Sequence, residues 1–156
     1  MTPAVKQLEK AGVDFALAEY EHDPRSPAYG EEAARTLGLS PDEVFKTLLA
    51  RLDDGRLAVA IVPVSRKLDL KALARAAGAR KAQMAEAEEA QRATGYVVGG
   101  ISPLGQKRRL ATFLDASAEA LPAIHVSGGR RGLEIRLAPS DLRRLTGARL
   151  APLVRD

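Results

Sequence analysis

Apolar positions along this chain change their period several times, and the changes mark its elements. Val5, Leu8 and Ala11 recur at helical spacing behind Thr2-Pro3, a hydroxyl N-cap followed by proline, and Gly12 stops that helix. Phe15-Ala16-Leu17-Ala18-Glu19-Tyr20-Glu21-His22 alternates as a strand, with Tyr20 and His22 on one face and Glu19 and Glu21 on the other. A loop over 23–27 leads to a helix over 31–37 that Gly38 ends. Ser40-Pro41-Asp42-Glu43 reads as one further helical turn. The apolar run 44–52 fits helix or strand, but Asp53-Asp54-Gly55 decides for strand, since Asp-Gly is a strong hairpin signal, and 57–63 is the return strand. Asp69 caps a helix to Ala77, closed by Gly78.

Beyond it the pattern predicts a short strand over 79–83 and a helix over 86–92. Strands follow at 111–115, 123–126 and 133–137, with a glycine-rich turn, 127–132, between the last two. Pro139-Ser140-Asp141 starts a last helix over 142–145, ended by Gly147. The fold class is α+β, a mixed sheet with short helices around it. At 156 residues, with neither repeat nor linker, the expectation is one domain, 1–156, able to bury a proper core.

Composition narrows the chemistry. Cysteine is absent, which excludes disulfides, thiolate zinc sites and a cysteine nucleophile. His22 and His125 have no metal-ligand spacing, and no Gly-x-Ser-x-Gly elbow occurs, so neither a metal nor another cofactor is expected. No apolar run approaches the ~20 residues of a membrane span, and the first residues lack a signal-peptide core, which points to a cytoplasmic protein without a membrane partner. Aromatics make up 4%, too few for an extensive base-stacking platform. The net charge of +4 is mild, but basic pairs flank glycine-rich turns at Arg108-Arg109 and Arg130-Arg131, and a phosphate-bearing ligand fits that pattern.

Two features go beyond folding. Gly99-Gly100-Ile101-Ser102-Pro103-Leu104-Gly105-Gln106-Lys107 places three glycines, a serine and a proline in seven residues. It is either a tight basic turn or a loop offering bare amides to an anionic ligand. Its glycine spacing resembles a P-loop, but the lysine is displaced and no Ser or Thr follows it. Lys46 interrupts an apolar strand, sharing a face with Val44 and Leu48. It is either a lysine on the solvent side of a half-buried sheet or a cation at the floor of a cleft. Tyr20, Ser102 and Ser127 read as core or turn residues, or as hydroxyls lining that cleft. Glu134 is the nearest acid, and reads as a surface strand glutamate.

Five segments carry a resemblance along nearly the full chain: Met1-Thr2-Pro3-Ala4-Val5-Lys6, Tyr20-Glu21-His22-Asp23-Pro24, Phe45-Lys46-Thr47-Leu48-Leu49, the stretch from Thr94-Gly95-Tyr96 through Lys107, and Val126-Ser127-Gly128-Gly129-Arg130-Arg131-Gly132-Leu133. In these the chain resembles the bacterial YbaK proteins, the Cys-tRNA(Pro) deacylases. The resemblance implies a partly barrel-like mixed sheet wrapped by helices. It also implies a trans-editing hydrolase of mischarged Cys-tRNA(Pro), with prolyl-tRNA synthetase as a transient partner. It implies a substrate-assisted mechanism, in which the substrate thiol attacks its own ester to give a cyclic thiolactone that opens in water. Lys46 then positions the ester or terminal adenosine, and Tyr20 is a pocket tyrosine. Phe45, Thr47 and the loop Gly99-Gly100-Ile101-Ser102-Pro103 bind substrate, and Ser127, Gly128 and Gly129 line the opposite wall. Glu134 stands where some relatives carry aspartate. A sister specificity such as Ala-tRNA, or a non-catalytic tRNA- or synthetase-binding module, is the alternative.

Overall fold

A computed structural model describes residues 1–26 and 28–156; Pro27, part of the expected 23–27 loop, lies outside the described residues. The chain runs α1 (Pro3–Ala11), β1 (Phe15–Glu19), α2 (Tyr29–Leu37), β2 (Phe45–Leu52), β3 (Leu57–Pro63), β4 (Lys67–Leu68), α3 (Leu70–Ala76), β5 (Ala82–Met84) and α4 (Ala87–Thr94). It continues through β6 (Ala111–Asp115), a 3-10 turn (Ala116–Ala120), β7 (Ile124–Ser127), β8 (Leu133–Leu137), α5 (Pro139–Thr146), β9 (Arg149–Ala151) and β10 (Val154–Arg155). The α+β expectation holds. The strands form three open sheets, ordered β5-β2-β3-β6-β9, β1-β8-β7 and β10-β4. A parallel bridge between Val44 and His125 joins the edge of β7 to the start of β2, which gives the two larger sheets a partial wrap.

Local chemistry explains most boundaries. The Thr2 hydroxyl accepts from the Val5 amide, and Gly12 takes a left-handed φ of 70° at the end of α1. Asp69 caps α3 by accepting from the amides of Lys71 and Ala72. The Asp53-Asp54-Gly55 turn closes the β2–β3 hairpin, with the Leu52 amide donating to the Arg56 carbonyl.

Several element bounds differ from the sequence expectations, and the helix expected over 31–37 already starts at Tyr29. The first strand ends at Glu19, three residues early, because the chain beyond Tyr20 turns so that His22 can meet Glu32. The strand expected at 79–83 lies at Ala82–Met84, and the helix expected at 86–92 runs Ala87–Thr94. The last helix starts at Pro139, in the favoured first-turn position, rather than at 142. The strands β4, β9 and β10 have no counterpart in the sequence pattern.

β3 fixes the layers. All seven of its residues are buried. Val59 and Ile61 face a core filled by α1, α5 and the β1-β8-β7 sheet. Ala58, Ala60 and Val62 face a second core closed by Leu73 and Leu153. α2 packs over the end of β2 and β3, where Ala33, Ala34, Val44 and Val64 form a third cluster.

Candidate active site

The cleft opens along the edge of β2 that β5 leaves uncovered, since β5 pairs only with Ala50, Arg51 and Leu52, and it lies beneath the start of α2. Phe45 pairs with Pro63 and Lys46 with Val62 in the β2–β3 ladder, so the position of Lys46 is set by a central strand and not by a loop. Val44 on the same face is fully buried, and a side chain added at Gly30 would come 3.9 Å from the Lys46 Cβ. The face that carries Lys46 is therefore roofed by the start of α2. The structure places Lys46 in the lining of a cleft rather than on an open solvent face. Burial lowers its pKa, opposed by Glu31 and assisted by Lys67. No ion pair to Lys46 forms among the described residues. A partly desolvated cation without a carboxylate partner favours an incoming anion or a developing negative charge.

The cavity measures about 420 Å³. Lys46 and Thr47 form its floor, Tyr29, Gly30 and Glu31 its roof, Val98, Gly99 and Ile101 one wall, and Ser127 and Glu134 the other, with Tyr20 beside them. The Thr47 hydroxyl is buried and has no hydrogen-bond partner. An unsatisfied buried hydroxyl costs about 1–3 kcal/mol, which a bound polar group would recover. Neither cysteine nor histidine is among the described residues lining the cavity.

Glu134 corrects the reading of a surface glutamate. It is only 6% exposed, and it sits opposite Ala18 on β1 and Ser127 on β7 in the middle strand of its sheet. Burial pushes its carboxyl up to about 8, so it is predominantly protonated at neutral pH and can donate a hydrogen bond into the cleft. Burial, then the charges of Glu134 and Glu32, push the nearby Tyr20 phenol up to about 12.

The glycine-rich loop is held rigidly. The Tyr96 hydroxyl donates to the Leu104 carbonyl at 2.7 Å, the Leu104 amide to the Ser102 hydroxyl at 3.2 Å, and the Gln106 side chain to the Ser102 carbonyl at 3.0 Å. The Gly100 amide closes a turn on the Val97 carbonyl, whereas the amides of Gly99 and Ile101 take no acceptor among the described residues. A Cβ at Gly100 would lie 2.8 Å from the Arg130 Cα, so the loop and the β7–β8 turn touch backbone to backbone. Arg131 fastens the rim: it donates twice to the Val98 carbonyl, at 3.0 and 2.7 Å, and lies 4.8 Å over the Tyr29 ring.

Comparison with known proteins now gives the family. A model described as the aminoacyl-tRNA editing domain matches residues 24–145, which include all of the cavity lining except Tyr20. This chain belongs to the aminoacyl-tRNA editing domain family. It is 34% identical to EbsC of Enterococcus faecalis, a proposed Cys-tRNA(Pro)/Cys-tRNA(Cys) deacylase, over 97% of this chain and 92% of that protein. Among solved structures it matches a proposed trans-editing enzyme for prolyl-tRNA synthetase, with TM-score 0.84, 27% identity and coverage of 100% and 99%. It also matches the hypothetical protein APE2540, with TM-score 0.87, 25% identity and coverage of 99% and 100%. The resemblance drawn from sequence motifs thus stands, and the chain is an aminoacyl-tRNA deacylase acting in trans on tRNA esters. No helix among the described residues is long and apolar enough to cross a membrane.

The editing domain gathers Tyr20, Phe45, Lys46, Thr47, Gly99, Ile101 and Ser127 around one cavity. It places the other expected site residues behind that lining. Gly100 meets the backbone of Arg130 and Arg131, Gly128 packs on the Leu133 side chain, Ser102 is fully buried inside the loop, and Gly129 packs on Tyr96 and Thr2. Pro103 faces a second groove on the far side of the loop. Sequence reasoning missed Tyr29 and Glu31. Their only signal was Tyr29-Gly30 at a helix start, where a Cβ at Gly30 would meet Val64 at 2.5 Å.

Proposed function

We propose that this editing domain, chain 1–156 acting as one unit, removes cysteine from mischarged tRNA(Pro), by a reaction in which the substrate supplies the nucleophile. The observation that carries the reading is a cleft with a desolvated lysine and free amides that offers neither cysteine nor histidine to activate an attacking group. The substrate thiol attacks its own ester carbonyl. A carbon–sulfur bond forms, the carbon–oxygen ester bond breaks, and the thiol proton leaves with the ribose oxygen. Water then opens the cyclic thiolactone to free cysteine. The protein's part is to hold the thiol over the carbonyl and to stabilise the oxyanion. Lys46 and the amides of Gly99 and Ile101 supply the positive field. Thr47 and Ser127 orient the aminoacyl group, and protonated Glu134 donates from the opposite wall. Prolyl-tRNA synthetase makes the mischarged substrate, since size alone separates cysteine from proline poorly in a pocket, and a transient complex with that synthetase supplies the choice of tRNA(Pro).

A panel of Cys-, Ser-, Ala- and Pro-tRNA, incubated with and without prolyl-tRNA synthetase, tests this directly. Cysteine release is expected and serine release is not. Efficient hydrolysis of Ser-tRNA would overturn the thiol-attack mechanism, and preference for Ala-tRNA would reassign the substrate. Lys46→Ala should lower kcat/KM by ~10²–10³-fold with an unchanged circular-dichroism spectrum, the range typical for loss of one preorganised charge-stabilising group. Wild-type turnover in that variant would remove Lys46 from the mechanism.

A further inference from the structure

The glycine-rich loop has two sides. Gly99 and Ile101 face the deacylation cleft, while Pro103, Gly105 and Gln106 face a separate groove of about 430 Å³. That groove is built by three elements. Helix α1 buries Ala4, Val5 and Leu8, which leaves its opposite stripe (Lys6, Gln7 and Lys10) turned into the groove. Lys6 and Lys10 stand one helical turn apart on that stripe. Arg108 and Arg109 enter from the approach to β6, and the C-terminal turn of α5 closes the far end. A Cβ added at Gly147 would lie 2.9 Å from the Arg109 guanidinium, which places that side chain at the end of α5, where helix carbonyls favour a cation.

Its charge is one-sided. Four cations line the groove and no Asp or Glu does, whereas the cleft carries Glu31 and Glu134 beside Lys46. None of the four cations has an ion-pair partner among the described residues, and all four are exposed. The walls are fixed to each other. Gln7 accepts from the Gly105 amide at 2.7 Å, and the chain at Gly105 runs so close to α1 that a Cβ there would meet the Pro3 carbonyl carbon at 2.5 Å. Unpaired, exposed cations of one sign on a rigid concave surface make a site for a polyanion rather than a solvated face.

We propose that this groove holds the sugar–phosphate backbone of the same RNA whose aminoacyl end occupies the cleft, with the 99–106 loop as the shared wall. The proposal rests on the reading of the cleft as an aminoacyl-tRNA site. The cations give affinity and orientation without base selectivity, which agrees with the absence of stacking aromatics among the described residues of the groove.

The test compares the wild type with Lys6→Ala/Lys10→Ala/Arg108→Ala/Arg109→Ala on two substrates, Cys-tRNA(Pro) and the cysteinyl ester of adenosine, which reaches only the cleft. For the tRNA, KM should rise at least about tenfold with kcat retained. The slope of log affinity against log salt, measured with uncharged tRNA, should fall by about one for each phosphate that the variant no longer neutralises. Turnover of the adenosine ester should not change, which also shows that the variant folds. Lys6→Arg/Lys10→Arg should bind tRNA like the wild type. Unchanged tRNA affinity and salt slope in the quadruple variant would overturn the proposal. So would loss of synthetase binding with tRNA affinity intact, which would make the groove a docking site for an acidic protein surface. Competition by inorganic phosphate at low millimolar concentration, without any salt-slope change in the variant, would instead mark a small-anion site and also overturn it. If the wild type binds tRNA through the groove yet releases no cysteine, the groove stands and the assignment of the cleft fails.

Discussion

Glu134 shows how one residue can link stability to pH. Its carboxyl sits near 8 in the folded protein and in the ordinary carboxylate range when unfolded. Between those values the native state holds a proton that the unfolded state has released. Stability contributed by the group is therefore complete in mild acid and is lost as pH rises towards 8, at up to ~1.4 kcal/mol per pH unit. Glu134→Gln keeps the shape and cannot ionise. Urea denaturation at pH 5, 7 and 9 should show the wild type weakening with pH more steeply than the variant, and the variant the more stable of the two at pH 9. Parallel curves would mean that Glu134 is ionised in the folded cleft. The same residue shows why alternation misleads. Glu134 and Arg136 share a face of β8, yet Arg136 is exposed and Glu134 is buried. The difference comes from the cover at one end of the strand, where the cleft walls close in, and a period-2 pattern does not report that cover.

At the scale of elements, the 99–106 loop works because two backbones touch. Gly100→Ala places a Cβ against the backbone of Arg130 and Arg131, at 2.8–2.9 Å, where no flexible side-chain end can yield. The loop must move away from the β7–β8 turn, carrying Gly99 and Ile101 out of line with Lys46. A loss of ~1–3 kcal/mol in thermal or urea unfolding is expected, together with a lower kcat and a higher KM on the same substrate. A change in stability alone would show that the loop's position does not matter to the reaction. Much of this level was legible in the sequence. Asp-Gly identified the β2–β3 hairpin, and helix caps at Thr2 and Asp69 located α1 and α3. β4, β9 and β10 were not legible, because strands of two or three residues carry no period and exist only through partners distant in sequence. For the candidate site, the sequence singled out Lys46 and the loop but left open whether they lie on a surface or in a cleft. That choice depends on α2 folding over the face of β2, a contact between segments that no local pattern records.

The whole molecule divides its labour across the five-stranded sheet. One face, with Phe45 and Ile61, belongs to the larger core, and the other, with Ala60 and Phe113, packs on α3 and Leu153. Leu153 sits between β9 and β10, is fully buried, and donates its amide to the Asp115 carboxylate at 2.9 Å while its carbonyl accepts from the Asp69 amide at 2.7 Å. It ties the end of the chain to β6 and to the cap of α3, on the side of the sheet away from Lys46's wall partners Gly99 and Ser127. Leu153→Ala leaves both backbone hydrogen bonds possible and removes only the buried side chain. It should therefore cost about 2–5 kcal/mol in urea unfolding, the range for a leucine deleted from a packed core. Well below the unfolding transition, kcat and KM should stay near the wild-type values, because Leu153 does not line the cleft and reaches Lys46 only through Leu48 and Val62. If activity fell in proportion to stability, this core would be a support for the site, and strain would pass through Leu48 and Val62 to Lys46.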